Sequence, residues 1–171
     1  MGLIVTGLLL PVFASAESPT TQSILDAANA KGKAEKKNVL VIFHASWCGW
    51  CKKLDAFLEQ PQFKKTFDQS FVVTHIDVME NGPQKTLENA GGVELMTKLG
   101  GATAGLPFFA VLSPKGEKLG DSFMANKQNI GFPSEPGEVT AFMAMLKQTA
   151  PKMSDAQRTS VENFLRKPAS K

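Results

Sequence analysis

Two cysteines, Cys48 and Cys51, stand three apart in the stretch HASWCGWCKKLD, and the chain has no other cysteine. Thiols at this spacing can cycle between dithiol and disulfide, supply half of a tetrahedral zinc site, or form a static crosslink. A crosslink closing so short a loop removes little chain entropy from the unfolded state, and a stabilising bridge more naturally joins distant segments. A zinc site needs two further ligands. His44 and His75, the only histidines, are conceivable ones, but no second C-x-x-C and no H-x3-H pair follows. Redox chemistry is the favoured reading, a zinc or copper site is the sharpest rival, and no metal ligand set is assigned.

Redox work requires the two sulfurs to be held in a defined order, and the flanking residues predict how. NVLVIFHA (38–45) is apolar and β-branched, the pattern of a strand buried on both faces. From Cys48 onward the period changes. Cys51, Leu54, Phe57 and Leu58 fall on one helical face, with Lys52, Lys53, Asp55 and Glu59 elsewhere. Cys48 then stands at a helix start, where unpaired backbone N–H groups and the helix dipole favour thiolate. Cys51 lies one turn deeper on the same side, at the start of the apolar face, and is expected to be the more buried sulfur that reacts second. Gly49 allows a close turn and leaves Cys48 accessible. Cys48 thiolate attacks a substrate disulfide, and Cys51 then attacks Cys48 and releases the reduced substrate. The dithiol itself stores the two electrons, so no bound cofactor is needed.

The rest of the chain reads as alternating helices and strands. ESPTTQ (17–22) is expected to be a flexible leader and Ser23 to Lys36 a short helix. Pro61 ends or kinks the cysteine helix, and QFKKTF adds a turn or two. FVVTHIDV (71–78) is a second strand, and 84–99 a helix interrupted near Gly91-Gly92 and stopped by Gly100. GLPFFAVLS (105–113) and EKLGDSF (117–123) form a hairpin about a turn at SPKG. Residues 124–137 are a long Pro/Gly/Asn-rich loop, Glu138–Thr149 an amphipathic helix, and Ser154-x-x-Gln157 caps a last one. A parallel βαβ unit followed by a hairpin and a closing helix gives an α/β mixed sheet with helices on both faces. Ligand sites in such sheets gather beyond the carboxyl ends of the strands. The loop Asn126–Pro136 is therefore expected on the substrate-facing rim.

VLVIFHASWCGWCKKLD resembles the active-site segment of the thioredoxin superfamily, in which W-C-x-x-C lies between a buried strand and a helix. GLPFF is similar to that family's second hallmark, a cis-proline opening the next strand. The likeness covers 38–149 and implies a thioredoxin-like core, with the leader helix and the helix after Pro151 as additions. It implies an exported bacterial thioredoxin-like protein with a CGWC pair, acting as a thiol–disulfide oxidoreductase. It also implies a cis bond between Leu106 and Pro107, which face the cysteines, and pairing of the Leu106 backbone with an extended substrate. Two departures stand out. Many thioredoxins carry a buried carboxylate six residues before the first cysteine, where this chain has Ile42, and the lysine that often partners it falls near Val73. Trp50 replaces the proline of thioredoxins and the histidine of several oxidases, giving apolar contact surface without charge.

Several residues admit a second role. Trp47 is a shield for the motif or, with Gly49 and Trp50, part of a substrate face. His44, four residues before Cys48, is a candidate to approach the thiolate and lower its pKa. Lys52 and Lys53 form a solvated helix face. The alternative function is a non-catalytic partner-binding or metal-binding domain. With 171 residues the chain suggests one domain, and a formal charge of +3 with interspersed signs gives no nucleic-acid footprint. Residues 1–16, MGLIVTGLLLPVFASA, are apolar, carry no charged side chain and end in an A-x-A pattern. They read as a secretory signal peptide, too short for a membrane anchor. The single domain then spans 17–171 in the periplasm or outside the cell, with no stable membrane span once the signal is removed. The expected partners are proteins carrying a disulfide or dithiol and a redox partner protein.

Overall fold

Alternation along the first strand sets the layers of the protein. β1 (Asn38–His44) sends Val39, Val41 and Phe43 to one face of a sheet and Leu40 and Ile42 to the other, and all five are buried. The computed structural model describes residues 18–167. The expected signal peptide, Glu17 and the last four residues lie outside that range.

The sheet has four strands in the order β2-β1-β3-β4, with β2 (Phe71–Asp77), β3 (Phe108–Leu112) and β4 (Lys118–Asp121). β2 runs parallel to β1, whereas β3 is antiparallel to β1 and β4 to β3. β3 repeats the alternation: Phe108, Ala110 and Leu112 join one core layer, Phe109 and Val111 the other. Helices α1 (Thr21–Glu35) and α4 (Gly92–Lys98) cover the first face through Ala28 and Met96. Helices α2 (Gly49–Leu58), α3 (Pro61–Ser70), α5 (Pro136–Thr149) and α6 (Asp155–Leu165) cover the second. Phe57 is the hub of that second layer. Its ring meets those of Phe63, Phe67, Phe132, Phe142 and Phe164 at centroid distances of 5.2 to 6.4 Å.

Three local expectations change. The leader is not free. Thr20 caps α1 by accepting from the Ser23 amide at 3.2 Å, which draws Thr21 and Gln22 into the helix. The Asn89 side chain also donates to Pro19 O at 2.9 Å. Pro61 does not kink the cysteine helix. It opens a separate helix at the first position, where a missing N–H costs nothing. The segment 84–99 divides into a 3-10 turn, Gly82–Leu87, and the short α4. Gly91 between them has φ +84°, and a Cβ on Gly92 would stand 2.7 Å from Val78 Cγ1. The double glycine therefore serves a left-handed turn and a close helix–strand approach.

Candidate active site

Cys48 is the N-cap of α2, reached directly from β1 through Ala45, Ser46 and Trp47. Its sulfur accepts from the Cys51 backbone N–H at 3.1 Å and is bonded to the Cys51 sulfur, with Cα atoms 5.3 Å apart. The first turn of a helix leaves its N–H groups without intrahelical partners, so the N-cap position meets aligned donors. Cys51, Leu54, Phe57 and Leu58 are the buried residues of α2, the face its periodicity predicts. The expected contrast in exposure between the sulfurs is small in the disulfide form, 3% for Cys48 and 1% for Cys51. Both cysteines pack with Ala45 and Leu106. A Cβ on Gly49 would meet no atom within 4 Å, so no tight contact there requires glycine, and Cys48 itself is buried in the disulfide form.

Leu106 packs against the cysteines, its peptide bond to Pro107 is cis, and β3 begins directly after Pro107. The carbonyls on either side of Leu106 are engaged: Asn129 Nδ2 donates to Gly105 O at 2.7 Å and to Pro107 O at 3.0 Å. Among the described residues, the Leu106 N–H and C=O have no hydrogen-bond partner. The loop 124–137 lies beside this segment. Trp50, Leu106, Asn129, Gly131 and Phe132 line a cleft of about 330 Å³. Trp50 and Phe132 stack at 6.4 Å between centroids, and Lys53 Nζ sits 4.1 Å from the centre of the Trp50 ring. Lys53 is therefore more than a solvated charge, since a cation over an indole face is attracted by the ring quadrupole.

The two tryptophans are half-exposed, at 53% for Trp47 and 50% for Trp50. Trp47 does not shield the motif. Its indole N–H donates to Met79 O at 2.7 Å, leaving the ring on the surface. Beneath it, the buried Glu80 carboxylate accepts from the Ser46 N–H at 2.6 Å and the Ser46 hydroxyl at 2.7 Å. Sequence reasoning put Asn129 and Phe132 in the rim loop without singling either out, and gave Glu80 no role. None belongs to a periodic pattern, and a loop carboxylate or amide gives no local sign of the distant backbone it will hold.

His44 is turned to the strand-end carboxylates rather than to Cys48. Burial first, then repulsion from His75, hold its imidazole below the ordinary histidine pKa, against the opposing pull of Asp77 and Asp55. Neither ring nitrogen hydrogen-bonds the Cys48 sulfur, while Asp77 Oδ1 lies 3.2 Å from Nε2 and Asp55 Oδ2 4.0 Å from Nδ1. Asp55, off the apolar face of α2 as its spacing predicts, makes a hydrogen bond of 2.9 Å with His75 Nε2. The structure thus separates the ingredients of the sequence-level metal rival: the two cysteines are bonded to each other, and the two histidines gather with carboxylates. Ile42 and Val73 remain apolar core residues.

A mixed four-stranded sheet with helices on both faces, a C-x-x-C disulfide at a helix start and an X–Pro loop packed against it define a thioredoxin fold with a redox-type cysteine pair. A family model described as thioredoxin-like matches residues 20–114, more than half of the sequence, and the chain belongs to that family. The match takes in α1 as well as the cysteine motif. The protein disulfide isomerase-like 1-1 of Arabidopsis thaliana is 26% identical over 135 residues, covering 76% of this chain and 26% of that protein. The thiol:disulfide interchange protein DsbD of Vibrio cholerae is 30% identical over 97 residues, covering 57% of this chain and 15% of that protein. The chain thus spans about a quarter or less of the length of these relatives. A disulphide isomerase from Xylella fastidiosa Temecula1 has a similar fold, with a TM-score of 0.52 and 23% identity over 93% of this chain and 96% of that one.

Proposed function

We propose that this protein is a thiol–disulfide oxidoreductase that exchanges disulfides with partner proteins through the Cys48/Cys51 couple. The observation that carries the reading is the Cys48–Cys51 disulfide at the N-terminus of α2, beside an open cleft and the unpartnered Leu106 backbone. In the reducing direction Cys48 thiolate attacks one sulfur of a substrate disulfide, that bond breaks, and the other substrate sulfur leaves as thiolate. Cys51, having given up its proton, attacks Cys48, displaces the second substrate sulfur and leaves the Cys48–Cys51 disulfide. Two electrons pass to the substrate. Run backwards, the same steps place a disulfide in a reduced partner.

The remaining residues divide the binding work. An extended substrate segment pairs with the Leu106 N–H and C=O, in the manner of a strand added to a sheet edge. Pro107 turns that segment toward the cysteines. Trp47, Gly49 and Trp50 form the surface around the attacked sulfur, and the loop Asn126–Pro136 forms the rim. The name of the V. cholerae relative, a thiol:disulfide interchange protein, supports the same chemistry. The apolar leader ending in Ala14-Ser15-Ala16 supports export to the periplasm or beyond. An oxidising compartment of that kind suits a chain whose sole cysteine pair is a disulfide.

Trapping tests the reading. With Cys51→Ser, mixed disulfides between Cys48 and partner proteins accumulate and disappear on reduction. With Cys48→Ser, none form. Failure of Cys51→Ser to accumulate any mixed disulfide, with no reduction of insulin by the intact protein, places the chain among non-catalytic binding domains.

A further inference from the structure

The carboxyl ends of the two parallel strands carry a polar cluster that the disulfide chemistry does not use. Strand alternation puts His44, His75 and Asp77 on the α2 face, continuing Leu40, Ile42 and Val73, so the apolar layer ends in imidazoles and a carboxylate. His44 lies opposite Asp77 in the register and diagonal to His75, with the two imidazole centroids 4.8 Å apart. Asp55 closes the group from α2. One ligand atom from each of His44, Asp55 and His75 lies within 4.8 Å of the others.

We propose that His44, Asp55 and His75 form a binding site for a divalent transition-metal ion of the zinc type, with Asp77 orienting His44. Two ligand atoms on a tetrahedral zinc ion are about 3.4 Å apart, given bond lengths of roughly 2.0–2.2 Å. His75 Nε2 lies 2.9 Å from Asp55 Oδ1 and His44 Nδ1 lies 4.0 Å from Asp55 Oδ2, one on each side of that value and to different oxygens of the carboxylate. Two imidazoles and a carboxylate are a ligand set that zinc accepts, with a fourth position left for water. The charge also matches. Among the described residues no lysine or arginine lies within 4.0 Å of the Asp55 or Asp77 carboxylate, so the cluster offers two negative charges to a dication.

The surroundings of His44 point the same way. Its Nδ1 faces Asp55, while the buried Nε2 lies 3.2 Å from Asp77 Oδ1 without the alignment of a hydrogen bond, and has no other partner among the described residues. A carboxylate beside one ring nitrogen, with the opposite nitrogen turned toward further ligands, is the side on which metal-binding histidines commonly meet a carboxylate. Asp55 and His75 are each about a third exposed, which gives an ion a route from solvent. The site excludes the cysteines, so it differs from a zinc site built on the C-x-x-C pair.

The test uses the full oxidised protein, whose disulfide removes the thiols as ligands. After chelator treatment, zinc is titrated in competition with a chromophoric chelator, and cobalt(II) is added separately to read visible d–d absorption. One equivalent of zinc binds, and cobalt gives the intense bands of a low-coordinate site. Asp77→Asn weakens binding roughly ten- to a hundredfold. His75→Gln or Asp55→Asn weakens it further. Should a variant unfold, proton–nitrogen NMR of the unaltered protein decides the matter, because both histidine ring spectra shift together with one equivalent of zinc. No bound zinc, or zinc bound with both rings unshifted, or unchanged affinity in folded His75→Gln, overturns the site.

Discussion

Trp50 and Phe132 lie nearly parallel, with an interplanar angle of 18° and centroids 6.4 Å apart, joining the helix that carries the cysteines to a loop more than eighty residues away. Phe132 also meets Phe57 edge-on at 6.2 Å, so the exposed indole is coupled to the aromatic core through one ring. A stacked aromatic pair is worth about 0.5–1.5 kcal/mol beyond its buried area. Phe132→Ala frees Trp50 and opens the cleft wall. The expected result is a KM for a protein disulfide raised roughly two- to tenfold with kcat little changed, since the interaction energy corresponds to that range. Steady-state kinetics against a protein and a small aromatic disulfide check it; the small substrate, which does not need the rim, is unaffected.

Asn129 holds the shape of the Leu106 segment by donating to the carbonyls on both sides of it, and its own Oδ1 accepts from the Ser122 hydroxyl at 2.6 Å. Asn129→Ala leaves two carbonyls and a hydroxyl without this partner. Each such loss costs on the order of 1 kcal/mol where water cannot replace it. The expected outcome is a stability loss of about 1–3 kcal/mol in chemical denaturation, with slower turnover of protein substrates. Unchanged kinetics in a folded Asn129→Ala protein removes this side chain from the positioning of Leu106.

The parts of this architecture that repeat were readable from the chain. Buried strands at 38–44 and 108–112, and the face Cys51, Leu54, Phe57 and Leu58, follow from periods of two and 3.6. The place of Cys48 at a strand-to-helix junction follows from where those periods meet. The parts that close the site were not readable, because they are single contacts between distant segments. Glu80 reaches Ser46 across 34 positions, and Asn129 reaches Gly105 across 24. Asp55 illustrates the limit from another side. Its helical position allowed either solvent or the strand ends, and only the imidazole of His75 opposite decides between them.

Glu80 anchors the turn that presents Trp47 and Cys48. Its carboxylate takes both donors of Ser46, and its own N–H donates to Glu88 at 2.8 Å. Glu80→Ala removes the acceptor that holds a backbone N–H and a hydroxyl of Ser46. A destabilisation of about 1–3 kcal/mol is expected, the upper part reflecting hydrogen bonds to a charged group. Glu80→Gln, which keeps an acceptor, recovers much of it. Denaturant midpoints of the two variants separate loss of the hydrogen bonds from loss of charge, and equal midpoints contradict this account of the turn.

Phe57 tests whether the aromatic layer supports the cysteine helix as a unit. It follows Cys51 by six residues on the buried face of α2 and touches rings from α3, α5, α6 and the rim loop. Truncation to alanine leaves a cavity that five surrounding rings can fill only in part. The cost of such changes is about 3–5 kcal/mol. Phe57→Leu, which keeps most of the volume, costs less. Because Phe132 loses its edge contact as well, Phe57→Ala also frees the cleft wall next to Trp50. Urea denaturation measures the first effect and Trp50 fluorescence the second, with the disulfide intact in both. A large stability loss with an unaltered Trp50 signal means that the core and the substrate face are energetically separate, and that the rim is held by its own hydrogen bonds alone.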